Sequence, residues 1–531
     1  MSKLISVIIL SCISLFAGSG LSRAQSWSKL DAFHGLLQKH YVDTVDTNEL
    51  IEAAIRAELR KLDPHSMYFN PEEFKAVNER LKGNYEGIGV QYVMVNDTLI
   101  ITHIIHGGPA FLAGLQGGDR IIAVNQDTLA GVPHSHADIR SKLAGERGSS
   151  LSVLIDRAGY PDLLEFQLTR DKIPVKSIET VYWLNDSTAY IKLSRFGATT
   201  SREWKRMLRK QNLEEAKALI LDVQSNGGGY LNAAVDLVNE FLEENQLIVY
   251  TEGRGLKKQL SLADKRGKMR SVRLAVLVDE RSASASEILA GAIQDWDRGI
   301  VLGRRSFGKG SVQRQFVLND QSAVRITVAQ YFTPSGRSIQ KAYNGNLSDY
   351  HNEVSQRLQS GELFTPDYPQ ENLTELKTLR HERSIWAGGG IQPDVFVPLD
   401  SIWINDTWQS LQRKALLLPI AVQFIDRQRD SLLQIYPDIA AFQASFNQEE
   451  ALWQFALSEL KEDLASEEIA NLPALRSAIL LRLRVQIASA LYGREEAIRI
   501  ENEENRALTK ALELINNPEV YRSILQGEYT P

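Results

Sequence analysis

The chain has 531 residues, enough for more than one domain, and its 43% hydrophobic and 24% charged residues are ordinary for a globular protein. The net charge of −6, without a long run of one sign, gives no case for a nucleic-acid partner. Cys12 is the only cysteine, so a chain that loses its N-terminal segment has no cysteine nucleophile, disulfide or thiolate metal site.

Residues 1–24 are predicted to be a signal peptide. Lys3 precedes an apolar stretch, LISVIILSCISLFAG, which is too short for a comfortable transmembrane span, and small residues in SRAQ favour cleavage after Ala24. We therefore expect an exported protein, in a periplasm, where a chain without cysteine is well suited to oxidising conditions. An uncleaved membrane anchor and lipidation at Cys12 stay open as alternatives.

Two regions of different periodicity follow. Residues 25–82 are predicted to be an N-terminal helical region, because apolar residues recur at helical spacing and NPEE restarts a helix after Pro64. Residues 83–172 contain short strand-like runs separated by glycine turns, with one short helix in SHADIRSKLAG. This pattern indicates a small β-rich domain.

Residues 173–400 alternate strands and helices. KALILDVQ leads through SNGGGY to an amphipathic helix, and VRLAVLVDE leads through RSASAS to EILAGAIQDW, which predicts a layered α/β domain. The polar, strand-poor residues 341–385 interrupt it as an insertion. Residues 401–531 have helical spacing throughout, and the sequence does not decide whether this C-terminal helical region packs on the core or forms a dimer. The expected fold class is therefore a multidomain combination of α+β and α/β parts.

Ser282, Ser284 and Ser286 lie at the second of these strand-to-helix junctions. Such a junction exposes a side chain at the end of the sheet, beside the free amides and the positive dipole of a helix N-terminus. An acyl-transfer enzyme places its nucleophile and oxyanion donors there. The alternative is that Ser282 or Ser284 only caps the helix, and the residues alone do not choose among the three serines.

No histidine lies within forty residues of these serines, so Lys309 in GRRSFGKGSVQ is the candidate proton acceptor. Flanking glycines let the backbone pack around its amine, and a desolvated lysine can act as a neutral general base. A surface lysine is the alternative. Gln313, on the strand that follows, could orient the amine or simply face solvent. The segment also resembles a phosphate-binding loop, but Gly310 replaces the magnesium ligand and a strand replaces the helix, which excludes nucleotide binding.

Two further segments, the glycine turn SNGGGY and the neighbouring histidines His134 and His136, are candidates for a functional role. Bare amides between Asn226 and Gly229 could hold an oxyanion or a peptide backbone, although a plain turn has the same composition. His134 and His136 have no carboxylate cluster nearby, so we interpret them as surface residues. Metal catalysis is unsupported, and no cofactor is expected.

Together these segments resemble the C-terminal processing peptidases, or tail-specific proteases, which are serine peptidases with a serine–lysine dyad and a PDZ domain. The resemblance is carried, in the family's order and over roughly residues 40–400, by LDPHSMYF, YEGIGV, GGPAFLAGLQGGDRIIAVN, LDVQSNGGG, SASASEILAGAIQD, SFGKGSVQ, FTPSGRSIQ and GGIQPDVFVP. It implies Ser284 as nucleophile, Lys309 as general base and Gln313 as its support. It also implies the backbone N–H groups of Ala285 and Gly228 as oxyanion donors.

The chain departs from the family pattern in its glycine loop. Gln224 stands where the family often has arginine, and Gly227 stands where it often has proline. The first departure puts in doubt how the loop is anchored and whether activation passes through it.

The resemblance identifies residues 83–172 as the PDZ domain. A strand edge beside a helix suits the addition of a peptide strand. We expect the amides around Gly87, Ile88 and Gly89 to hold a terminal carboxylate, and Ile139 and Leu143 to line an apolar pocket. The alternative is a small β-domain used only for packing.

The predicted function is that of an exported serine endopeptidase that recognises C-terminal tails of proteins. Its expected partners are protein or peptide substrates with free, apolar C-termini, together with an activating partner or a second copy of the chain. The alternative is a catalytically silent, PDZ-containing peptide-binding or scaffold protein.

Overall fold

The structure is a computed structural model that describes residues 29–95, 97–366 and 373–529, and these fall into two units. The first unit comprises Met1–Pro71 with Gln313–Thr327, and the second comprises Glu72–Val312 with Val328–Pro531. The predicted signal peptide, with Cys12, lies outside the described residues. Of the helices in the described ranges, none combines the length and the apolar character that crossing a bilayer requires.

The first unit begins with helices. Its elements are α1 (29–40), α2 (Thr47–Leu62) and β1 (Met67–Phe69). Asp46 caps α2, since its carboxylate accepts hydrogen bonds from the backbone N–H groups of Asn48 and Glu49. The following turn is held by Asp63, which accepts from the N–H groups of His65 and Ser66 at 2.7 and 2.8 Å.

The second unit starts with the β-rich domain. Its elements are α3 (Pro71–Lys82), β2 (Asn84–Gly87), β3 (Val90–Val95), β4 (Thr98–Ile104), α4 (Pro109–Leu112), β5 (Arg120–Val124), β6 (Asp127–Thr128), α5 (His136–Leu143), β7 (Ser150–Asp156), β8 (Leu164–Thr169) and β9 (Asp171–Pro174). The sheet order is β3-β4-β5-β7-β8, with β6 on β5, so β3 is an edge strand. Alternate residues of β7 are buried, as expected for a sheet with one covered face.

The α/β domain follows. Its elements are β10 (Ile178–Trp183), β11 (Thr188–Leu193), α6 (Thr200–Lys210), β12 (Ala218–Asp222), α7 (Leu231–Asn239), β13 (Leu247–Gly253), β14 (Leu256–Leu262), β15 (Arg273–Val278), α8 (Ala285–Asp295), β16 (Ile300–Gly303), β17 (Ser311–Val317), β18 (Ala323–Phe332), α9 (Leu347–Gln359), β19 (Thr374–Lys377), β20 (Ser384–Ala387) and β21 (Val395–Phe396). The central sheet has the order β10-β11-β12-β15-β16-β21, and all its pairs except β10 with β11 are parallel. Every residue of β12 is buried, which explains its continuous apolar run.

Helices cover both faces of this sheet. Leu219 and Leu221 of β12 belong to the apolar cluster that includes α7 and α8. Ile220, between them, belongs to the cluster that includes the C-terminal residues Leu508 and Tyr521. Alternate strand residues point to opposite faces, so the C-terminal helical region supplies the second layer of the core.

The C-terminal region consists of helices. Its elements are α10 (Asp406–Arg413), α11 (Leu417–Ile435), α12 (Ile439–Ser445), α13 (Glu449–Asp463), α14 (Ser466–Asn471), α15 (Arg476–Tyr492), α16 (Arg494–Glu501), α17 (Arg506–Ile515) and α18 (Pro518–Gln526). The Tyr521 hydroxyl of α18 accepts from the N–H of Leu274 at 3.0 Å and donates to its carbonyl at 3.1 Å. The region therefore packs on the core, which the sequence left undecided.

The same region also holds the β-rich domain. Arg120 and Asp426 form an ion pair at 2.6 Å, and Arg429 donates to the carbonyl of Gly117. A side chain at Gly117 would lie 2.9 Å from the backbone of Ala490 on α15, so glycine permits direct contact between the two backbones there.

Each end of β18 pairs with a different strand. In the first unit, Met67 of β1 is the antiparallel partner of Arg325. In the second unit, Tyr250 of β13 is the antiparallel partner of Phe332. The helical N-terminus, β-rich domain, α/β core and helical C-terminal region together confirm the predicted fold class.

Candidate active site

Ser284 lies at the end of the turn between β15 and α8. Its φ of 58° and ψ of −113° belong to a sparsely populated region for a residue with a side chain. Its side chain is partly exposed, at the N-cap of a helix whose eleven residues are all buried. The turn therefore presents this hydroxyl at the end of the sheet.

The two neighbouring serines have different surroundings. Ser282 and Ser286 are fully buried, and their hydroxyls donate to the backbone carbonyls of Val223 and Asn226, both at 2.8 Å. These hydroxyls hold the serine turn against the glycine loop. Geometry thus separates Ser284 from the other two, which the residues alone could not do.

Glu287 joins the serine turn to the Lys309 loop. The carboxylate is fully buried, and its Oε2 accepts from the N–H groups of Ser284 at 2.8 Å and Lys309 at 2.9 Å. Its Oε1 accepts from the Ser306 hydroxyl at 2.5 Å and the Gly308 N–H at 2.6 Å. Burial raises the pKa of Glu287 above its usual value, although these four hydrogen bonds oppose the rise.

The loop around Lys309 is packed through its glycines. A side chain at Gly308, where φ is +87°, would lie 3.0 Å from Cβ of Lys341, and one at Gly310 would lie 2.9 Å from the backbone N of Gln340. Lys309 itself is partly exposed. Its backbone is thus fixed on both sides.

Tyr331 on β18 lies between the two candidate catalytic residues. Its hydroxyl donates to the carbonyl of Lys309. Its oxygen therefore acts as the acceptor in the second hydrogen bond, in which the Ser284 side chain is the donor. Burial raises the pKa of Tyr331 well above 10, and the nearby Glu287 carboxylate adds to the rise. The phenol therefore stays protonated at any physiological pH. No sequence motif had singled out Tyr331.

The two predicted oxyanion donors come together at the serine turn. A side chain at Gly228, where φ is +95°, would lie 2.7 Å from Cβ of Ser284 and 2.9 Å from the backbone N of Ala285. The Ala285 N–H is the first of α8, where backbone donors have no partner within the helix. The Gly228 N–H instead donates to Oδ1 of Asn226 at 2.9 Å, so a substrate must displace this side chain to use it.

Gln224, the first departure from the family pattern, is anchored at three points. Its N–H donates to Asp222 at 2.7 Å, and its carbonyl accepts from Nζ of Lys192 at 3.0 Å. Its side-chain oxygen accepts from Asn505, next to α17, at 3.1 Å. The C-terminal region therefore contacts the glycine loop directly. At Gly227, the second departure, a side chain would meet nothing within 4 Å.

The predicted carboxylate-binding segment connects β2 to the edge strand β3. Gly87 pairs with Asp171 on β9, and the carbonyls of Ile88 and Gly89 accept from α4 and the residue after β4, at 2.9 and 2.8 Å. Gly89 has a φ of +82°, which suits glycine. The backbone of this segment is therefore fixed beside an edge strand that can accept a peptide.

Ile139 and Leu143 of α5 lie in the core of the β-rich domain, 1% and 5% exposed, beside Ile88. They are covered in this conformation, so their role in lining a ligand pocket stays a prediction. Arg140, which the sequence analysis did not select, acts electrostatically on Tyr85. Burial raises the pKa of Tyr85 to about 12 despite this positive charge.

Gln313 belongs to the first unit, where its amide lies 3.5 Å from the hydroxyl of Thr327. Its predicted role beside Lys309 stays a prediction.

Comparison with known proteins establishes the family. Family profiles match at residues 187–350 (peptidase family S41), 78–156 (PDZ domain) and 16–73 (activating protease CtpB N-terminal domain). The carboxy-terminal-processing protease of Bartonella bacilliformis is 34% identical over 309 residues, which cover 57% of this chain and 70% of the relative. The chain belongs to the carboxy-terminal processing proteases of peptidase family S41.

This protease is also 34% identical to the carboxy-terminal processing protease CtpB of Bacillus subtilis over 328 residues, which cover 60% of this chain and 66% of the relative. Among solved structures, it is similar to a photosystem II D1 C-terminal processing protease, with 28% identity, a TM-score of 0.35, and coverage of 60% of this chain and 84% of the other. It is a PDZ-containing, serine-type peptidase. Most of the insertion and the whole C-terminal region lie beyond the matched S41 segment.

Proposed function

We propose that this protease is an exported endopeptidase that shortens proteins from their C-terminal tails, with Ser284 as nucleophile and Lys309 as general base. One observation carries the proposal. Glu287 accepts hydrogen bonds from the backbones of both residues, so the partly exposed serine at the strained turn and the glycine-bounded lysine are fixed by a single carboxylate.

In the proposed reaction, Oγ of Ser284 attacks the scissile carbonyl while the neutral Lys309 amine takes its proton. The N–H of Ala285 stabilises the oxyanion, joined by the N–H of Gly228 once Asn226 has released it. As the tetrahedral intermediate collapses, the Lys309 ammonium gives the proton to the leaving amine. Water then attacks the acyl-enzyme by the same route, and the shortened chain leaves.

Tyr331 orients the reacting groups in this scheme. In the resting arrangement its hydroxyl accepts a hydrogen bond from the Ser284 hydroxyl and donates one to the Lys309 carbonyl. The Ser284 hydroxyl therefore has to turn from Tyr331 towards Lys309 before the proton can transfer. Substrate binding beside the serine is the proposed trigger for this rotation.

Substrate recognition is proposed for the PDZ domain. A tail would add to the free edge of β3 as a further strand, with its terminal carboxylate on the amides around Ile88. Tails with apolar ends are the proposed substrates, because a charge at the end would lose its hydration on entering an apolar groove. An activating partner or a second copy of the chain completes the proposed set of partners.

Reaction with a fluorophosphonate probe tests the catalytic part. We expect an adduct on Ser284 in the wild-type protein, none in Ser284→Ala, and a strongly slowed reaction in Lys309→Ala. Lys257→Ala, at an exposed lysine of β14, is the matched control and should react normally. Absence of any adduct in the folded wild-type protein would favour the alternative of a silent PDZ scaffold.

A comparison of chain ends in cells that express the wild-type or the Ser284→Ala protein tests the biological part. Proteins that lose their C-terminal tails only with the active form are the substrates. Fractionation of the same cells shows whether the protease is exported, and N-terminal sequencing shows whether it begins near Gln25, retains Met1 or carries an acylated Cys12.

A further inference from the structure

The insertion 341–385 packs against the loop that carries Lys309. Its helix α9 begins at the cap Asn346, whose side chain accepts from the N–H groups of Ser348 and Asp349. Most of the insertion lies beyond the segment matched to peptidase family S41, which ends at residue 350. Helix α9 therefore lies against the loop of the candidate general base, mostly outside the matched segment.

Arg357 of α9 contacts the backbone of that loop directly. The residue is only 2% exposed, and its Nη1 donates to the carbonyl of Arg305 at 3.1 Å and to the carbonyl of Ser306 at 2.9 Å. Its Nε donates to Glu353, one turn earlier, at 2.8 Å. A guanidinium has a rigid fork of donors, so one buried side chain fixes two consecutive peptide groups.

Ser306 passes this restraint to the site. Its hydroxyl donates to Oε1 of Glu287, whose other oxygen accepts from the backbones of Ser284 and Lys309. The Lys341 N–H adds a contact of its own by donating to the carbonyl of Gly308 at 2.9 Å. Arg357 thus binds the carbonyl of Ser306, and the hydroxyl of the same residue binds the carboxylate that fixes both candidate catalytic residues.

Arg357 is itself held by two carboxylates. Its guanidinium lies 2.7 Å from Glu353 and 3.8 Å from Glu362, and both carboxylates also pair with Arg305.

We propose that Arg357 is a positioning residue for the peptidase reaction: it holds the Lys309 loop in place through the carbonyls of Arg305 and Ser306. This inference rests on the proposed function of Ser284 and Lys309.

The test compares Arg357→Met and Arg357→Lys with the wild-type protease. Gln359→Met, at an exposed position two residues further along α9, is the control. We expect Arg357→Met to lower kcat about ten- to a hundredfold for a tail peptide, with KM changed by less than about twofold, because small displacements of a catalytic group have effects of this size.

Arg357→Lys tests whether the fork of donors is needed. Lysine keeps the positive charge but not the fork, so kcat should fall in this variant as well. Thermal unfolding shows which variants are folded. If Arg357→Met does not fold, the decision rests on Arg357→Lys, and a wild-type kcat in that variant overturns the proposal.

A folded Arg357→Met variant with wild-type kcat also overturns it. This failure is distinct from failure of the proposed function. If cleavage by the wild-type protease does not depend on Ser284, the proposed function is wrong, whereas a Ser284-dependent cleavage that ignores Arg357 contradicts only the present inference.

Discussion

The backbone N–H groups of Ser284 and Lys309 donate to the same atom, Oε2 of Glu287, at 2.8 and 2.9 Å. Residues that are twenty-five positions apart in the sequence therefore share one buried acceptor. Neither the serine turn nor the lysine loop can shift without leaving one of these N–H donors unsatisfied. This restraint keeps the two residues in fixed positions relative to each other.

Glu287→Gln should weaken both the fold and the reaction. Glutamine replaces one accepting oxygen with an NH₂ group, which faces N–H donors and leaves them without an acceptor. We expect a loss of about 1–3 kcal/mol in the free energy of unfolding and at least a tenfold lower rate of tail cleavage. Chemical denaturation and peptide kinetics measure the two effects. Glu462→Gln, at an exposed position on α13, should change neither.

The same pair of proteins should differ in pH dependence. Burial raises the pKa of Glu287 in the folded state above its value of 4.5 in an unfolded chain, so the folded state retains a proton that the unfolded state loses. The contribution of Glu287 to stability is therefore fully present below about pH 4.5 and declines as the pH rises through the folded-state pKa. Unfolding free energies of the wild type relative to Glu287→Gln should fall across this window. A difference that is constant with pH, or that grows, contradicts the assignment.

Gly228→Ala should abolish acylation, because a methyl group there would lie 2.7 Å from Cβ of Ser284 and the backbone has a φ of +95°. Gly227→Ala provides a matched control one residue away, since a side chain there meets nothing within 4 Å. Reaction with the fluorophosphonate probe should be lost in the first variant and retained in the second. Equal reactivity of the two would show that the glycine loop does not closely approach the nucleophile.

Tyr331→Phe should slow acylation by about tenfold without a comparable change in KM. The substitution keeps the ring but removes the hydroxyl that contacts both the Lys309 carbonyl and the Ser284 side chain. Pre-steady-state kinetics with an ester substrate measure acylation directly. Tyr160→Phe, at a tyrosine that is 56% exposed, is the control. An unchanged acylation rate in Tyr331→Phe would remove Tyr331 from the mechanism.

Recognition of the chain end can be tested on the ligand, because backbone amides cannot be removed by substitution. A peptide that ends in Leu-Ala-Ala is compared with its C-terminal amide, which keeps every side chain and loses only the negative charge. We expect the amide to bind and to be cleaved about tenfold less well, equivalent to about 1.4 kcal/mol. Equal cleavage would mean that the PDZ domain does not read chain ends, even if Ser284 is the nucleophile.

The layered fold could be predicted from the sequence because it depends on local patterns. An apolar strand, a glycine or serine turn and an amphipathic helix occur twice, and the turns meet at one end of the sheet. The choice of Ser284 could not be made in this way. The burial of Ser282 and Ser286 depends on carbonyls about sixty residues away, at Val223 and Asn226, which no local pattern specifies.

Other parts of the site differ in how much the sequence reveals. Glu287 had a local signal, since a glutamate three residues after a serine is typical of a capping box, but its partners at Ser306 and Gly308 are distant. Tyr331 and Arg357 had no local signal in the sequence. A buried arginine in a polar insertion has the same local pattern as an exposed one, and only the fold brings Arg357 to the lysine loop.

The backbone at Ser284 also limits which side chains the position of the proposed nucleophile can carry. A β-branched residue is a genuine outlier at a φ near 58°, so threonine is poorly tolerated there although its hydroxyl has the same chemistry. Cysteine has no such branch and the turn can accommodate it. The strained turn thus acts as a filter on evolutionary change: at this position, serine can be replaced by cysteine far more readily than by threonine.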